Sequence, residues 1–302
     1  MVAIVTEKFR LHNAAQFKES FSEASASTYY MLIGKPTAFD SDTSGGTDTS
    51  PPTPNDDVSS EFHVWDSAIG AKKISSGDVS NVVPRRNWTN GTIYDMYEHD
   101  ISSTNTSQSG ASSLYDATFF FMTSTNKVYK VLDNNGGTAY SGTEPTSTSN
   151  SPFKLGGYIL KYMYTVGASD EAKFFTSDFI PAITDSTVSA NATDGAIESI
   201  IVTAGTGQTD GTYFTPVYGD GANAGKTTGA ILKLVISGGA IASFGLTDGT
   251  DTTIHSAGTE YTFATVNLAS GYTFSDTSLS SASAIGGSGA AISVVISPKG
   301  GH

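Results

Sequence analysis

Residues 229–237, GAILKLVIS, and residues 289–297, GAAISVVIS, decide the fold class of this sequence. Each segment opens with Gly-Ala and continues with aliphatic and β-branched side chains, a pattern typical of a buried strand that follows a turn. A second phrase, Gly-Thr followed by aromatic residues, occurs at 211–217 (GTYFTPV) and at 258–266 (GTEYTFATV). The phrases recur about 60 and 47 residues apart, which is in the range that indicates an internal duplication. We therefore predict a Gly-rich β module over 186–288.

The preceding residues, 1–185, predict more strands, separated by long loops rich in Ser, Thr and Gly. The strand segments are TYYMLI (28–33), ATFFFMTSTNKVYKVLDNN (117–135) and GGYILKYMYTV (156–166). Two short helices are also predicted in this half. One covers EKFRLHNAAQFKESF (7–21), and its apolar face holds Leu11, Ala14, Ala15 and Phe21. The other covers 61–76, where Phe62, Trp65 and Ile69 follow helical spacing. The fold class is therefore mainly β.

Composition narrows the function classes. The chain has 302 residues, with 16 Lys and Arg against 29 Asp and Glu, and a formal net charge of -13. Because nucleic acids are bound through basic surfaces, this acidity argues against a nucleic-acid partner. The absence of cysteine excludes disulfides, thiol catalysis and cysteine-ligated zinc. No apolar run reaches the roughly 20 residues that span a bilayer, and no signal peptide is apparent, so we expect folding in a cytosol without a membrane partner.

No motif predicts an enzyme, a cofactor or a metal site. In GDGANAGKTT (219–228), Asp220 stands where a phosphate-binding loop needs its first glycine. Asp40 and Asp42 resemble the start of a calcium loop, but Pro51 replaces the glutamate at its twelfth position. Glu98, His99 and Asp100 are adjacent along the chain and form only a weak acid–base candidate. The five histidines are scattered, at His12, His63, His99, His255 and His302.

The segment VVPRRNW (82–88) is the candidate contact site. Arg85 and Arg86 could grip carboxylates of an acidic partner while Trp88 buries an aromatic face beside them. The alternative is an intrachain clasp, in which both guanidinium groups bind Asp or Glu side chains of this chain. The sequence leaves both interpretations open.

The order and spacing of several segments resemble one known family, the baseplate wedge subunit eight family of T-even-like contractile-tailed phages. The most specific segments are AIVTEKFR (3–10) and VVPRRNW (82–88), supported by TYYMLIGKPTAF (28–39) and GGYILKYMYTV (156–166). The resemblance covers residues 1–185 and, more faintly, the terminal strand. Residues 186–288 look more like the repetitive β segments in tail proteins of marine and cyanobacterial phages.

This resemblance implies a β-sandwich core in residues 1–185, a large inserted module over 186–288 and a strand in 289–302 that returns to the core. It implies a dimer that binds other wedge proteins, without catalytic activity, and that supports baseplate assembly and rearrangement when the tail contracts. The location would be the virion tail baseplate, assembled in the host cytoplasm. Only Arg85, Arg86 and Trp88 are carried over as contact residues.

A different function is suggested by aromatic residues in the Gly-Thr strands. A glycan-binding tail adhesin would use exposed aromatic rings to stack on sugars. The candidates are Tyr213, Phe214, Tyr261, Phe263 and Tyr272.

Overall fold

The computed structural model describes residues 7–25, 27–34, 38–39, 46–53, 68–246, 249–275, 278–298 and 300–301. Contacts between Cα atoms divide the chain into two compact units, Met1–Asn81 and Val82–His302. We call them the N-terminal unit and the main unit. The mainly β fold class is confirmed, and the described residues form three α-helices and several antiparallel sheets.

The N-terminal unit contains one helix and one pair of strands. Helix α1 covers Glu7–Glu19, strand β1 covers Tyr29–Gly34 and strand β2 covers Ala68–Ile74. β1 and β2 pair antiparallel, with Tyr30 opposite Lys73 and Leu32 opposite Ala71. The helix predicted over 7–21 is confirmed over Glu7–Glu19, but most of its predicted apolar face is exposed, with Leu11 at 64%. Of the four residues predicted for that face only Phe21, just after the helix, is buried, and its ring centroid lies 5.2 Å from that of Phe17 and 4.6 Å from that of Tyr29.

The helix predicted over 61–76 is wrong for the part that the structure describes. Residues 61–67, with Phe62 and Trp65, lie outside the described residues. From Ala68 to Ile74 the chain is strand β2, because its backbone hydrogen-bonds to β1. Gly70 lies in this stretch and disfavours a helix, and pairing with a neighbouring strand outweighs a spacing pattern of three apolar residues.

The main unit contains two short helices and seventeen strands among its described residues. The helices are α2 (Ala168–Phe174) and α3 (Ser186–Asn191). The first group of strands is β3 (Val82–Pro84), β4 (Phe120–Met122), β5 (Lys127–Asp133), β6 (Phe153–Leu155), β7 (Tyr158–Thr165) and β8 (Phe179–Pro181). The second group is β9 (Ile197–Thr203), β10 (Thr206–Gln208), β11 (Gly211–Gly219), β12 (Ile231–Ser237), β13 (Ala240–Ile241), β14 (Thr253–Ser256), β15 (Ala264–Val266), β16 (Ser270–Ser275), β17 (Ser278–Ala284), β18 (Gly286–Ser288) and β19 (Ala291–Ile296).

Two larger sheets and three strand pairs organise the main unit. The first sheet has the order β4-β5-β7-β6, and the second has the order β13-β12-β11-β16-β17, with β14 on β12 and β15 on β11. The pairs are β3 with β8, β9 with β19 and β10 with β18. The two Gly-Ala segments therefore have different partners, since β12 pairs with β11 and β19 pairs with β9.

The four-stranded sheet is covered on both faces, which explains the nearly continuous apolar runs of β5 and β7. Alternate residues of a strand point to opposite faces. Tyr129 and Leu160 face a core rich in aromatic rings, whereas Leu132 and Ile159 face a second core that they share with Ile200 of β9. This second core joins strands on either side of the boundary predicted at residue 185.

Candidate functional site

The segment 82–88 begins as strand β3, which holds its arginines next to strand β8. Val83 lies opposite Ile180, and Ile180 is fully buried in a small third core. The next residues leave the ladder, and the backbone of Arg86 and Trp88 exchanges hydrogen bonds with Met122 of β4 at 2.7 and 2.8 Å. The segment therefore lies between strand β8 and strand β4 of the main unit, and its two arginines contact different neighbours.

Arg85 holds the turn that precedes β8. Its backbone N–H donates to the carbonyl of Asp178 at 2.7 Å, and its Nη1 donates to the carbonyl of Thr176 at 3.0 Å. Its Nε donates to Oδ1 of Asn87 at 3.1 Å, and the guanidinium carbon lies 5.4 Å from the ring centroid of Phe175.

Arg86 holds a different loop. Nη1 donates to the carbonyl of Ala117, while Nη2 donates to the carbonyls of Tyr115 and Asp116 at 2.8 and 3.0 Å. The guanidinium carbon also lies 4.7 Å from the ring centroid of Phe120. Burial lowers the pKa of Arg86, and the nearby charge of Asp95 opposes this shift.

Trp88 is half-buried and packs against the aromatic core. Its indole packs edge-on against Tyr140 with ring centroids 5.9 Å apart. The same core contains further aromatic side chains, all of them buried: Tyr94, Tyr97, Phe121, Tyr129, Tyr158 and Tyr162.

The structure thus brings Arg85, Arg86 and Trp88 into intrachain contacts. The acceptors of the guanidinium groups are backbone carbonyls and one amide, whereas the predicted clasp would have used Asp or Glu side chains. In the loop that Arg86 contacts, Ala117 is completely buried and Tyr115 is 63% exposed. A partner-contact role for the three residues themselves stays a prediction.

Asp95 is an organising residue that the sequence did not single out. It is 1% exposed, and its carboxylate accepts hydrogen bonds from the backbone N–H and hydroxyl groups of both Ser109 and Thr118. Burial by itself raises the pKa of Asp95, but the bonds from Ser109 and Thr118 outweigh it and the pKa is lowered. One carboxylate therefore orders a loop rich in Ser and Gly that has little apolar area to bury.

A buried group of charges lies between the four-stranded sheet and β9. Lys130 and Lys161 lie opposite each other on β5 and β7, only 6% and 3% exposed. Lys161 Nζ lies 3.4 Å from Oε1 of Glu198 on β9. Lys130 Nζ lies 3.4 Å from the ring centroid of Tyr97. Burial lowers the pKa of Lys130 well below its ordinary value, against the opposing charge of Glu198. In the sequence, the sign of this group is one lysine within each of two apolar runs, Lys130 in 117–135 and Lys161 in 156–166.

The other candidates do not converge on a reaction centre. Asp220 caps a turn, where its carboxylate accepts from the backbone N–H groups of Thr262 and Phe263 at 2.9 Å each. His99 Nδ1 accepts from the backbone N–H of Ile296 at 3.3 Å, and burial together with Asp100 and Asp95 raises the pKa of Glu98. Within the described residues, no group of three or more His, Asp or Glu could hold a metal ion. Asp40, Asp42, His63 and His302 lie outside the described residues.

The aromatic residues of the Gly-Thr strands do not form one platform. Tyr261 is 2% exposed and lies in the core, whereas Phe263 is 59% exposed. Tyr213 and Phe214 are half-buried, and the side chain of Tyr272 lies outside the described residues.

Exposed apolar side chains are concentrated in the N-terminal unit. Among its described residues, the large apolar side chains that are about half exposed or more are Phe9, Leu11, Phe17, Tyr30, Met31, Ile33 and Ile69. They lie on α1 and on both strands of the pair. Apolar area of this extent on a small unit is typical of surfaces that other proteins cover. No described helix is long and apolar enough to cross a membrane.

A mainly β fold, arginines engaged within the chain and exposed apolar side chains fit a structural subunit of a larger assembly better than they fit an enzyme. Residues 3–138 match the family model described as "Phage-Gp8: Bacteriophage T4, Gp8", a little under half of the chain. This part of the chain is thus similar to the baseplate wedge subunit eight family, whose members are structural components of the virion tail baseplate and associate with other baseplate proteins. The resemblance predicted from AIVTEKFR and VVPRRNW is thereby confirmed over residues 3–138. No curated protein matches the chain.

Proposed function

We propose that this protein is a dimeric subunit of the baseplate wedge, which binds neighbouring wedge proteins and supports rearrangement of the plate when the tail contracts. The observation that carries the proposal is the exposed apolar surface of the N-terminal unit, which lies inside the region that matches the family.

The strand pair of the N-terminal unit gives the physical reason. An isolated two-stranded sheet is marginally stable in water, and a third strand or a packed layer normally supports it. Here Tyr30 and Ile69 are each 63% exposed, one on each strand. A neighbouring subunit that covered these side chains would remove their apolar area from water and order the pair.

A double variant tests this surface. Tyr30→Ser and Ile69→Ser together should lower dimer formation, measured by sedimentation velocity, and lower recovery of the chain with co-expressed wedge proteins. The matched control is Phe263→Ser in the main unit, which removes a side chain of similar exposure (59%) outside the family match. A control that impairs assembly as much as the double variant would contradict the proposal, and so would a monomer that binds no wedge protein.

The rearrangement has its own test. Maps of extended and contracted tails, obtained by cryo-electron microscopy, should show the N-terminal unit with different neighbours in the two states. Identical neighbours in both would remove this part of the proposal.

A further inference from the structure

A cavity of about 420 Å³ in the main unit has a lining that is partly apolar and partly charged. Its apolar residues are Met96, Ile200, Ile201, Val202 and Phe244. Met96 is packed in the aromatic core, while Ile200 and Phe244 are packed in the second core, which includes β9. Because these cores hold the apolar part of the lining in place, the cavity is a preformed site with room for one long side chain.

The polar part of the lining consists of Glu98, Gln108, Asp133, Asn134 and Asn135. Two of the amides are engaged with each other, since Nδ2 of Asn134 donates to Oε1 of Gln108 at 2.7 Å. Oδ1 of Asn134 also accepts from the backbone N–H of Gly137 at 3.1 Å, and this residue is only 3% exposed. These amides therefore help to fix the shape of the cavity, and the two carboxylates are the groups that determine the charge of a ligand.

Glu98 has charges of its own sign around it. Burial raises the pKa of Glu98, and the charges of Asp100 and Asp95 raise it further. None of the ion pairs among the described residues includes Glu98. A partly buried carboxylate loses hydration, and a cation that entered the cavity would offset this loss.

Asp133, at the end of β5, is the second carboxylate. Its Oδ1 accepts from the backbone N–H of Asn135 at 2.8 Å. Burial raises the pKa of Asp133, against the bond from Asn135 and the charge of Lys154. Lys154 is itself paired with Asp251, whose Oδ2 lies 2.9 Å from Nζ. This cation is therefore already neutralised by another carboxylate, and the cavity keeps an excess of negative charge.

We propose that this cavity binds an arginine side chain of a neighbouring protein. The stem of an arginine is apolar and its planar guanidinium carries five N–H donors, so one side chain suits both the apolar lining and the two carboxylates. A lysine would offer three donors on a smaller and more strongly hydrated head. The inference rests on the proposed function only in naming the source of the arginine, which is another subunit of the wedge.

Nα-acetyl-L-arginine amide is the probe for the site itself. The full ¹⁵N-labelled chain is titrated with it up to about 50 mM at constant ionic strength, because a single side chain gives millimolar affinity at best. We expect saturable shifts of the side-chain amides of Gln108, Asn134 and Asn135 and of the backbone amide of Gly136. The citrulline analogue, which has the same length but no charge, should bind about tenfold more weakly or worse, since hydrogen bonds between charged groups are the stronger ones.

Three variants separate charge from shape. Glu98→Gln together with Asp133→Asn removes both charges with little change in shape and should weaken binding of the arginine probe about tenfold or more. Ser243→Leu fills the cavity from an exposed position, keeps both carboxylates and should abolish the shifts. The matched control is Glu260→Gln, which removes a negative charge at an exposed position elsewhere in the main unit and should leave the affinity unchanged within about twofold.

Recovery of the chain with co-expressed wedge proteins tests the source of the arginine. The double variant of Glu98 and Asp133 should lower this recovery, and Glu260→Gln should not. The inference is overturned if the probe gives no saturable shifts, if the citrulline analogue binds as tightly, or if the double variant assembles like the unaltered chain. These outcomes leave the proposed function standing, because Tyr30 and Ile69 of the other unit test it. A chain that binds the probe but no wedge protein at all would contradict the proposed function and leave the arginine site supported.

Discussion

The N-terminal unit and the main unit are made from the same kinds of residues but bury them very differently. In the N-terminal unit, Phe21 is the only large apolar side chain of the described residues that is buried. The main unit buries more than thirty apolar residues in three cores. The main unit can therefore hold its fold through its own contacts, whereas the large apolar side chains of the N-terminal unit are mostly exposed.

The largest effect should come from the aromatic core of the main unit. Phe121 is fully buried among tyrosines, so Phe121→Ala should lower the free energy of unfolding by about 3–5 kcal/mol. Urea denaturation followed by circular dichroism measures this change. Phe9→Ala in the N-terminal unit, where the ring is 54% exposed, is the matched control and should change it by under about 0.5 kcal/mol. Equal effects would mean that the two units do not differ as described.

A smaller loss is expected at Arg86. Arg86→Met keeps the length of the side chain but removes the donors to three carbonyls, which should lower the free energy of unfolding by about 2 kcal/mol. Lys73→Met, on the exposed strand β2, removes a charge of the same sign and should have little effect. If Arg86→Met left the stability unchanged and only weakened assembly, the partner-contact interpretation of VVPRRNW would replace the clasp.

The turn held by Asp220 should make stability depend on pH in a narrow range. Hydrogen bonds from Thr262 and Phe263 lower the pKa of Asp220 from 3.8 to about 2. Because the folded state holds this proton less tightly than the unfolded state, the contribution is complete above about pH 4 and is lost as the pH falls towards 2. Asp220→Asn should flatten this part of the curve of urea midpoint against pH. A curve that keeps its full slope in the variant would assign the dependence to other carboxylates.

The smallest effect should come from the strand pair of the N-terminal unit. Ile69→Ser should change the free energy of unfolding of the isolated chain by less than about 0.5 kcal/mol, since the side chain is 63% exposed. Thermal unfolding of the purified chain measures it, with Ile180→Ser in the main unit as the buried counterpart. A loss at Ile69 as large as at Ile180 would show that β2 is buried in solution.

The strands with continuous apolar runs were predictable from sequence. The runs in 117–135 and 156–166 became β4, β5 and β7, because each is too apolar to lie on a surface. Strand β2 was not predictable from its spacing, since its conformation depends on a partner about forty residues earlier in the chain. The same limit applies to the Gly-Ala segments, whose similar sequences pair with different strands.

At the candidate site, the sequence identified the residues but not their partners. The arginines of VVPRRNW were singled out because they stand together in an acidic chain. Their distant acceptors are backbone carbonyl groups about 30 and 90 residues away along the chain. Because every residue has a backbone carbonyl, the sequence does not indicate which of them the arginines bind. Asp95 was missed for a related reason, because only the folded chain surrounds its carboxylate with the donors of Ser109 and Thr118.

Because Lys130 and Lys161 are buried, their reactivity towards chemical labels can show whether the main unit opens. An amine reacts with acylating reagents only when it is unprotonated and accessible, and these two amines are closed off while β5, β7 and β9 remain packed. An exposed lysine of the main unit such as Lys226 is accessible to the reagent whether or not these strands separate. Peptide mass spectrometry of virions labelled before and after tail contraction would therefore show whether contraction separates these strands or moves the main unit as a rigid body.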